Sequence, residues 1–269
     1  MYGNDLPAIG GFGLAAGRPL PLGTGLAMLV GLSAVMAGAC VANNLLDQRL
    51  DALMERTHRR ALPSGRVSRP AALIYSATLT LAGLVVLALG TTTLAAIWAA
   101  LGWLGYVGLY GYAKRRTRHG TLVGSLAGAV PPVVGYTAVT GRLDATAWWL
   151  FLIMAIWQMP HFYAIAIFRL KDYQAAGVPV LPAVVGQAAT RRQIIGYIGL
   201  YGLVAVWLPV IHPGMPWALA YAGGMAAVSL VWLVRALRPS EPDCRAWARG
   251  HFRWSLIVLL VWSALIALG

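Results

Sequence analysis

Residues 71–113 read AALIYSATLTLAGLVVLALGTTTLAAIWAALGWLGYVGLYGYA, a run without one charged side chain. A helix needs about 20 apolar residues to cross a hydrocarbon core about 30 Å thick. The run therefore holds two crossings, and Gly90-Thr91-Thr92-Thr93 marks the turn between them. Working outward, uncharged stretches recur at 6–17 (short), 19–46, 70–90, 92–113, 120–141, 145–168, 193–211, 214–234 and 254–269. The uncharged stretch 193–234 divides at His212-Pro213-Gly214-Met215-Pro216. The spacing predicts nine spans, the first of them short, in one all-α polytopic bundle over residues 1–269.

Composition agrees. Of the 269 residues, 59% are hydrophobic, 31 are Gly and only 11% are charged, against about 25% charged in soluble proteins. Mean hydropathy is +0.69. So few polar groups cannot cover a soluble surface, and so many apolar ones are foreign to disordered chains. The two cysteines, Cys40 in an apolar run and Cys244 in a polar one, build neither a disulfide scaffold nor a Cys-based metal site. Residues 1–17 lack a basic start and contain Asp5, unlike a secretory leader.

The net charge of +13 could suggest nucleic acid, but its distribution argues otherwise. Lys and Arg number six in the 2/3 loop, four in the 4/5 loop, four in the 6/7 loop and five in the 8/9 loop. The opposite connections hold only Arg18 and Arg142. Such alternation follows the positive-inside rule and places those four loops in the cytoplasm.

Three segments carry polar chemistry. In the first, Asn43, Asp47 and Asp51 recur at i, i+4 and i+8, spread over about 80° of a helix face and roughly 12 Å of axis. They continue the cytoplasmic end of span 2. Neighbouring carboxylates repel each other unless a cation joins them. Oxygen-only ligands favour Mg²⁺ over softer metals. Arg56, Arg59 and Arg60 follow within a turn or two, and the combination suits a diphosphate. An ordinary solvated helix end is the simpler reading, but it leaves polar groups directed toward an apolar span unexplained.

The second segment closes span 6. Gln158, His161, Arg169 and Asp172 fall on one helical stripe, with Pro160 offering a kink. Polar stripes in bilayer helices mark function by default, although a hydrogen-bonded structural role serves His161 equally well. In the third, the basic run Lys114-Arg115-Arg116-Thr117-Arg118 either binds phosphate or anchors topology. It precedes Gly124 and Gly128, a small-xxx-small pair that allows close helix approach, and Pro131-Pro132, which should bend span 5. Leu62-Pro63-Ser64-Gly65-Arg66 is a turn by composition, with weak indications of phosphate cradling. The Trp residues suit interfacial belts and helix packing.

The motif Asn43-x3-Asp47-x3-Asp51, followed by Arg60-Ala61-Leu62-Pro63-Ser64-Gly65-Arg66, resembles the first aspartate motif of the UbiA-type intramembrane prenyltransferases. Within that superfamily, three stretches look like the branch that farnesylates haem, the protohaem IX farnesyltransferases. They are Met54-Glu55-Arg56-Thr57, residues 124–136 (GSLAGAVPPVVGY) and residues 157–169 (WQMPHFYAIAIFR), the last continuing through Lys171-Asp172-Tyr173 to Val178-Pro179-Val180-Leu181-Pro182. The likeness extends from about Gly10 to the end.

The resemblance implies a nine-helix bundle with a central cavity under cytoplasmic loops. It implies farnesyl diphosphate and protohaem IX as substrates and Mg²⁺ as cofactor, held by Asn43, Asp47 and Asp51. Asp172 joins these three as a catalytic candidate. Arg56, Arg60, Lys114, Arg115 and Lys171 become the diphosphate-binding set, and Gln158, His161 and Arg169 the haem-binding set. It further implies a bacterial inner membrane and a product passed to haem A synthase or terminal oxidase assembly. Two departures stand out. Other branches carry a second aspartate-rich motif after span 6, where this chain has one Asp beside His161 and Lys171. The usual Lys-Pro before the first span is absent ahead of Asn4, so the first helix is expected to be truncated. The alternatives are a related enzyme with an aromatic or quinone-precursor acceptor, and a transporter, whose broken helices also bury polar groups. No inverted repeat supports transport.

Overall fold

The computed structural model describes residues 2–17, 19–238 and 244–268. Its order is α1 (Tyr2–Ala15), α2 (Leu22–Leu53), α3 (Arg69–Gly90), α4 (Thr93–Arg116), α5 (Gly120–Thr140) and α6 (Ala145–Phe168). Two short helices follow, α7 (Leu170–Ala175) and α8 (Leu181–Val185), then α9 (Gln187–Ile211), α10 (Ala218–Leu237) and α11 (Cys244–Ala267). No strand occurs among the described residues.

Eight of these helices are long and apolar enough to cross a membrane. Of the nine expected spans the exception is α1, whose 14 residues extend only about 21 Å, short of a full crossing. The other expected spans are all present, with shifted ends. α9 begins at Gln187 and α11 at Cys244, ahead of the expected 193 and 254. The reason is physical: a helix does not stop where the bilayer does. The first turns of α9 and α11 lie beyond the apolar stretch and carry Arg191, Arg192, Arg245, Arg249 and Arg253; Arg192, Arg249 and Arg253 are exposed, whereas Arg191 packs over the Trp247 ring at 4.9 Å. Arg18 lies outside the described residues.

Local chemistry sets several helix starts. Ser68, Thr92 and Asp144 cap α3, α4 and α6, their side-chain oxygens accepting from the backbone N–H of Ala71, Ala95 and Ala147. The Thr92 cap confirms the turn expected at 90–93. α5 breaks after Gly128, as Pro131 and Pro132 foretell: neither has an N–H to continue the ladder, and both restart a helix at Val130. One irregularity is new. Within α4, residues Gly105–Tyr110 form a π-helical turn, a wider winding found frequently at functional sites. Gly102, Gly105, Gly108 and Gly111 surround it.

Burial follows composition. α6 is apolar on every side, and 72% of its apolar window is buried, against 22% for α3, whose Leu73, Ile74, Leu81 and Leu89 face outward. One core cluster joins α6 to α9, α10 and α11 through Ile194, Tyr201, Trp232 and Trp262. A second joins α1, α2, α4 and α5 through Phe12, Val35, Ala99 and Val134. α2 and α3 approach so closely that a Cβ on Gly83 would stand 2.6 Å from the Gly31 carbonyl oxygen.

Candidate active site

α2, α4, α5 and α6 enclose a cavity of about 390 Å³, with α1 contributing Asn4 and the 173–180 segment a further wall. Its size lies within the usual range for small-molecule sites. One end is polar, with Asn43, Asp47, Asp51, Arg56, Arg60 and Lys114; Leu32, Val35, Met36, Ala99, Trp103 and Val130 make much of the remaining wall apolar, with Gln158 set among them.

The polar end is built on α2. This helix continues past the apolar run to Leu53, so Asn43, Asp47 and Asp51 sit one turn apart and buried. It stops where Thr57 Oγ1 donates to the Asp51 carbonyl oxygen (2.9 Å). Asp47 Oδ2 accepts from Lys114 Nζ and from Asn43 Nδ2 (3.0 Å), while Oδ1 accepts from Arg115 (3.0 Å). Lys114 Nζ also donates to Asn43 Oδ1 (2.6 Å). Asp51 Oδ2 accepts from Arg60 (2.9 Å), which reaches Asn44 Oδ1 (3.1 Å) as well. Two carboxylates thus meet three cations. The excess is positive at the mouth of an apolar chamber, where it suits an anion.

Arg115 approaches Asp47 from outside the cavity lining, whereas Arg56 lines it. The Leu62–Arg66 turn does not: Gly65, at φ 74°, shapes it, Ser64 and Arg66 bond back to Arg60 and Arg59 carbonyls, and Gln48 Nε2 ties Leu62 to α2.

The span 6 stripe is divided. The face of α6 toward the cavity is Gln158, Phe162 and Ala166, at i, i+4 and i+8. His161 lies off that face, buried toward α11 with Nδ1 2.7 Å from Ser255 Oγ, stacked on Trp157 (4.7 Å) and beside Phe252 (5.0 Å). The expected stripe was projected through Asp172, but the helix ends at Phe168. Arg169 takes φ −107° and ψ 17°, so the helical phase does not carry over. Arg169 pairs with Asp172 at 3.9 Å, Lys171 is exposed, and none of the three lines the cavity. The residue of this segment that does is Tyr173, whose phenol burial pushes above its ordinary pKa while Arg56 pulls the other way.

Sequence reading passed over Tyr106 and Tyr110. They stack at 5.4 Å on the π-helical turn, and Lys114 Nζ stands 5.0 Å from the Tyr110 ring centre. Tyr106, Tyr110 and Lys114 share the spacing of four that Asn43, Asp47 and Asp51 show, and that was the available signal. Gly124 makes room for the Tyr110 ring and Gly128 for the Gln158 side chain. Both glycines of the small-xxx-small pair therefore admit side chains to the cavity wall.

A Mg²⁺ ion fits this donor set. Among the described residues no three His, Cys, Asp or Glu side chains converge, so a protein cage is absent. Two carboxylates and an amide on one stripe match an ion that completes its shell with water and phosphate oxygens.

The sequence profile of the UbiA prenyltransferase family matches residues 6–266. A protein named protoheme IX farnesyltransferase 2 from Chromobacterium violaceum is 46% identical, the alignment covering 99% of this chain and 88% of that protein. Its namesake from Shewanella sp. (strain MR-4) is 44% identical over 100% of this chain and 86% of its own length. Among solved structures, a digeranylgeranylglyceryl phosphate synthase superposes with a TM-score of 0.78 at 19% identity, covering 99% of this chain and 92% of that one. A UbiA homolog from Archaeoglobus fulgidus bound to GPP and Mg²⁺ superposes at 0.71 with 16% identity, covering 97% and 94%.

Proposed function

The chain belongs to the UbiA prenyltransferase family, and from that premise we propose that it transfers the farnesyl group of farnesyl diphosphate to a vinyl group of protohaem IX, adding water to give haem O and diphosphate. It is a prenyltransferase enzyme and a multi-pass membrane protein. The observation that carries the choice of acceptor is identity of 43–46% along the whole chain to proteins named for that reaction. The polar end of the cavity supplies the means.

Asn43, Asp47 and Asp51 would hold Mg²⁺. Bound there, the ion supplies Lewis-acid charge that stabilises a departing diphosphate. The chain's own residues do the rest. Arg60, Lys114 and Arg115, now spread over two carboxylates, turn toward the diphosphate once its charge is present, and Arg56 adds a fourth cation. Their charge meets the negative charge that grows on the leaving group as the allylic C–O bond breaks. Leu32, Val35, Met36 and Trp103 keep bulk water from the prenyl chain. The stacked Tyr106 and Tyr110 present an aromatic face near Lys114, suited to the positive charge left on the allyl group. Gln158 stands in the cavity wall beside the break in α5, whereas His161 supports the α6–α11 contact. The whole chain serves as one domain of a bacterial inner membrane, with the segments 54–68, 114–119 and 169–186 and the facing ends of α10 and α11 on the cytoplasmic side.

The test is a product assay. Membranes containing the chain, given farnesyl diphosphate, protohaem IX and Mg²⁺, should yield haem O by mass spectrometry, and EDTA should abolish it. Unchanged protohaem from folded protein, with an aromatic acceptor prenylated instead, would move the reaction to another branch of the family.

A further inference from the structure

Gln158 is buried, at 3% exposure, and its amide is fixed by its donors. Nε2 gives one hydrogen to the Ser125 carbonyl oxygen (3.0 Å) and the other to the Met154 carbonyl oxygen (3.1 Å). The first lies on α5 and the second one turn back on α6, so the amide cannot be reversed without setting its oxygen against two others. Oε1 is therefore the free end. It lies where Gly128 lacks a side chain, at the break in α5, and a Cβ on Gly128 would fall upon it. It accepts from no protein group among the described residues, and the side chain lines the cavity.

This is an acceptor that faces a largely apolar cavity on a buried side chain, and such an acceptor calls for a donor. Neither substrate of the proposed reaction offers one. A prenyl diphosphate carries acceptor oxygens only. Protohaem has no N–H once iron is bound, its vinyl groups carry C–H alone, and its propionates are ionised at neutral pH. The third reactant, water, is the one that donates.

We propose that Gln158 is a positioning residue whose Oε1 holds the water that adds to the haem side chain; the proposal rests on the function given above. The electron balance is simple. The C1–O bond of the prenyl diphosphate breaks with its pair going to diphosphate. The vinyl π pair forms the new C–C bond to C1, which leaves a cation on the vinyl carbon attached to the porphyrin. A water lone pair forms the C–O bond to that carbon, and the surplus proton passes to diphosphate. Water bound to Gln158 by one hydrogen presents its lone pairs away from the amide, into the chamber. When no water is held, the cation has another exit: it loses a proton from the neighbouring carbon and gives a conjugated farnesylated product lighter by one water.

Product partition therefore reports on Gln158 where total activity does not. Gln158→Met keeps the side chain's length and removes Oε1; Gly128→Ala keeps the amide and displaces Oε1. In detergent-solubilised protein of verified melting behaviour, both should raise the ratio of dehydrated to hydrated farnesyl-haem about tenfold, roughly the factor that one lost hydrogen bond makes. Hydrated product in the wild-type proportion from either folded variant overturns the proposal. So does a folded variant that no longer consumes farnesyl diphosphate, or one that makes farnesol and no haem product, because a holder of water acts after the C–C bond has formed. If the unaltered chain makes no farnesylated haem at all, the proposed function fails instead.

Discussion

Asp47 carries more of the site than its motif position suggests. It accepts from Lys114, Arg115 and Asn43 together, and Lys114 and Asp47 have side chains only 11% and 12% exposed. Removing one partner of a buried pair leaves an unneutralised charge, at a cost of about 3–5 kcal/mol. Asp47→Ala should therefore lower thermal stability as well as turnover, and adding Lys114→Met should restore the stability without the activity. Turnover should fall by roughly 10²–10³-fold, the scale of losing a transition-state contact, in both the single and the double variant. Asp51→Ala should cost similar activity but less stability, because its partner Arg60 is 38% exposed and can turn to water. Thermal unfolding in detergent beside the haem product assay checks both halves.

At the level of elements, close helix contact is set by where glycine stands. Gly83 faces the α2 backbone, with the Val35 amide nitrogen 2.8 Å from the position a Cβ would take, whereas Gly196 on α9 has nothing within 4 Å. Gly83→Leu should force α2 and α3 apart, costing about 1–3 kcal/mol or more, and the yield of folded protein should drop. Gly196→Leu, facing outward, should be tolerated. Fluorescence size-exclusion of the two variants compares them directly, and equal yields would show that the α2–α3 contact is looser than described. The aspartate stripe depends on the same contact, since α2 carries both.

For the whole molecule, the skew of Lys and Arg fixes a prediction about sidedness. With Cys40 and Cys244 replaced by Ala, a cysteine placed at Ser64 should resist a membrane-impermeant thiol reagent on intact cells, and one at Arg142 should react. Both positions are exposed, so the difference reports orientation rather than burial. The reverse pattern would put the site on the outer face.

Eight of the nine expected crossings, their order and the α2 stripe were legible from sequence because each rests on a local property. An uncharged run of sufficient length can be little but a span, and a four-residue spacing places Asn43, Asp47 and Asp51 on one face of whatever helix bears them. Pro131-Pro132 announced the break in α5 for the same reason, through two absent N–H groups. What sequence could not carry was phase across an irregularity and choice among faces. The helix end at Arg169 removed Arg169, Lys171 and Asp172 from the cavity. The π-helical turn brought Tyr106 and Tyr110 into it. His161 and Gln158, three residues apart on a helix apolar all round, went to different neighbours, one to Ser255 on α11 and the other to Ser125 on α5. A helix surrounded by protein has no solvent side to name its function. Only the helices packed around α6 decide which of its polar groups meets the cavity and which is satisfied in the core.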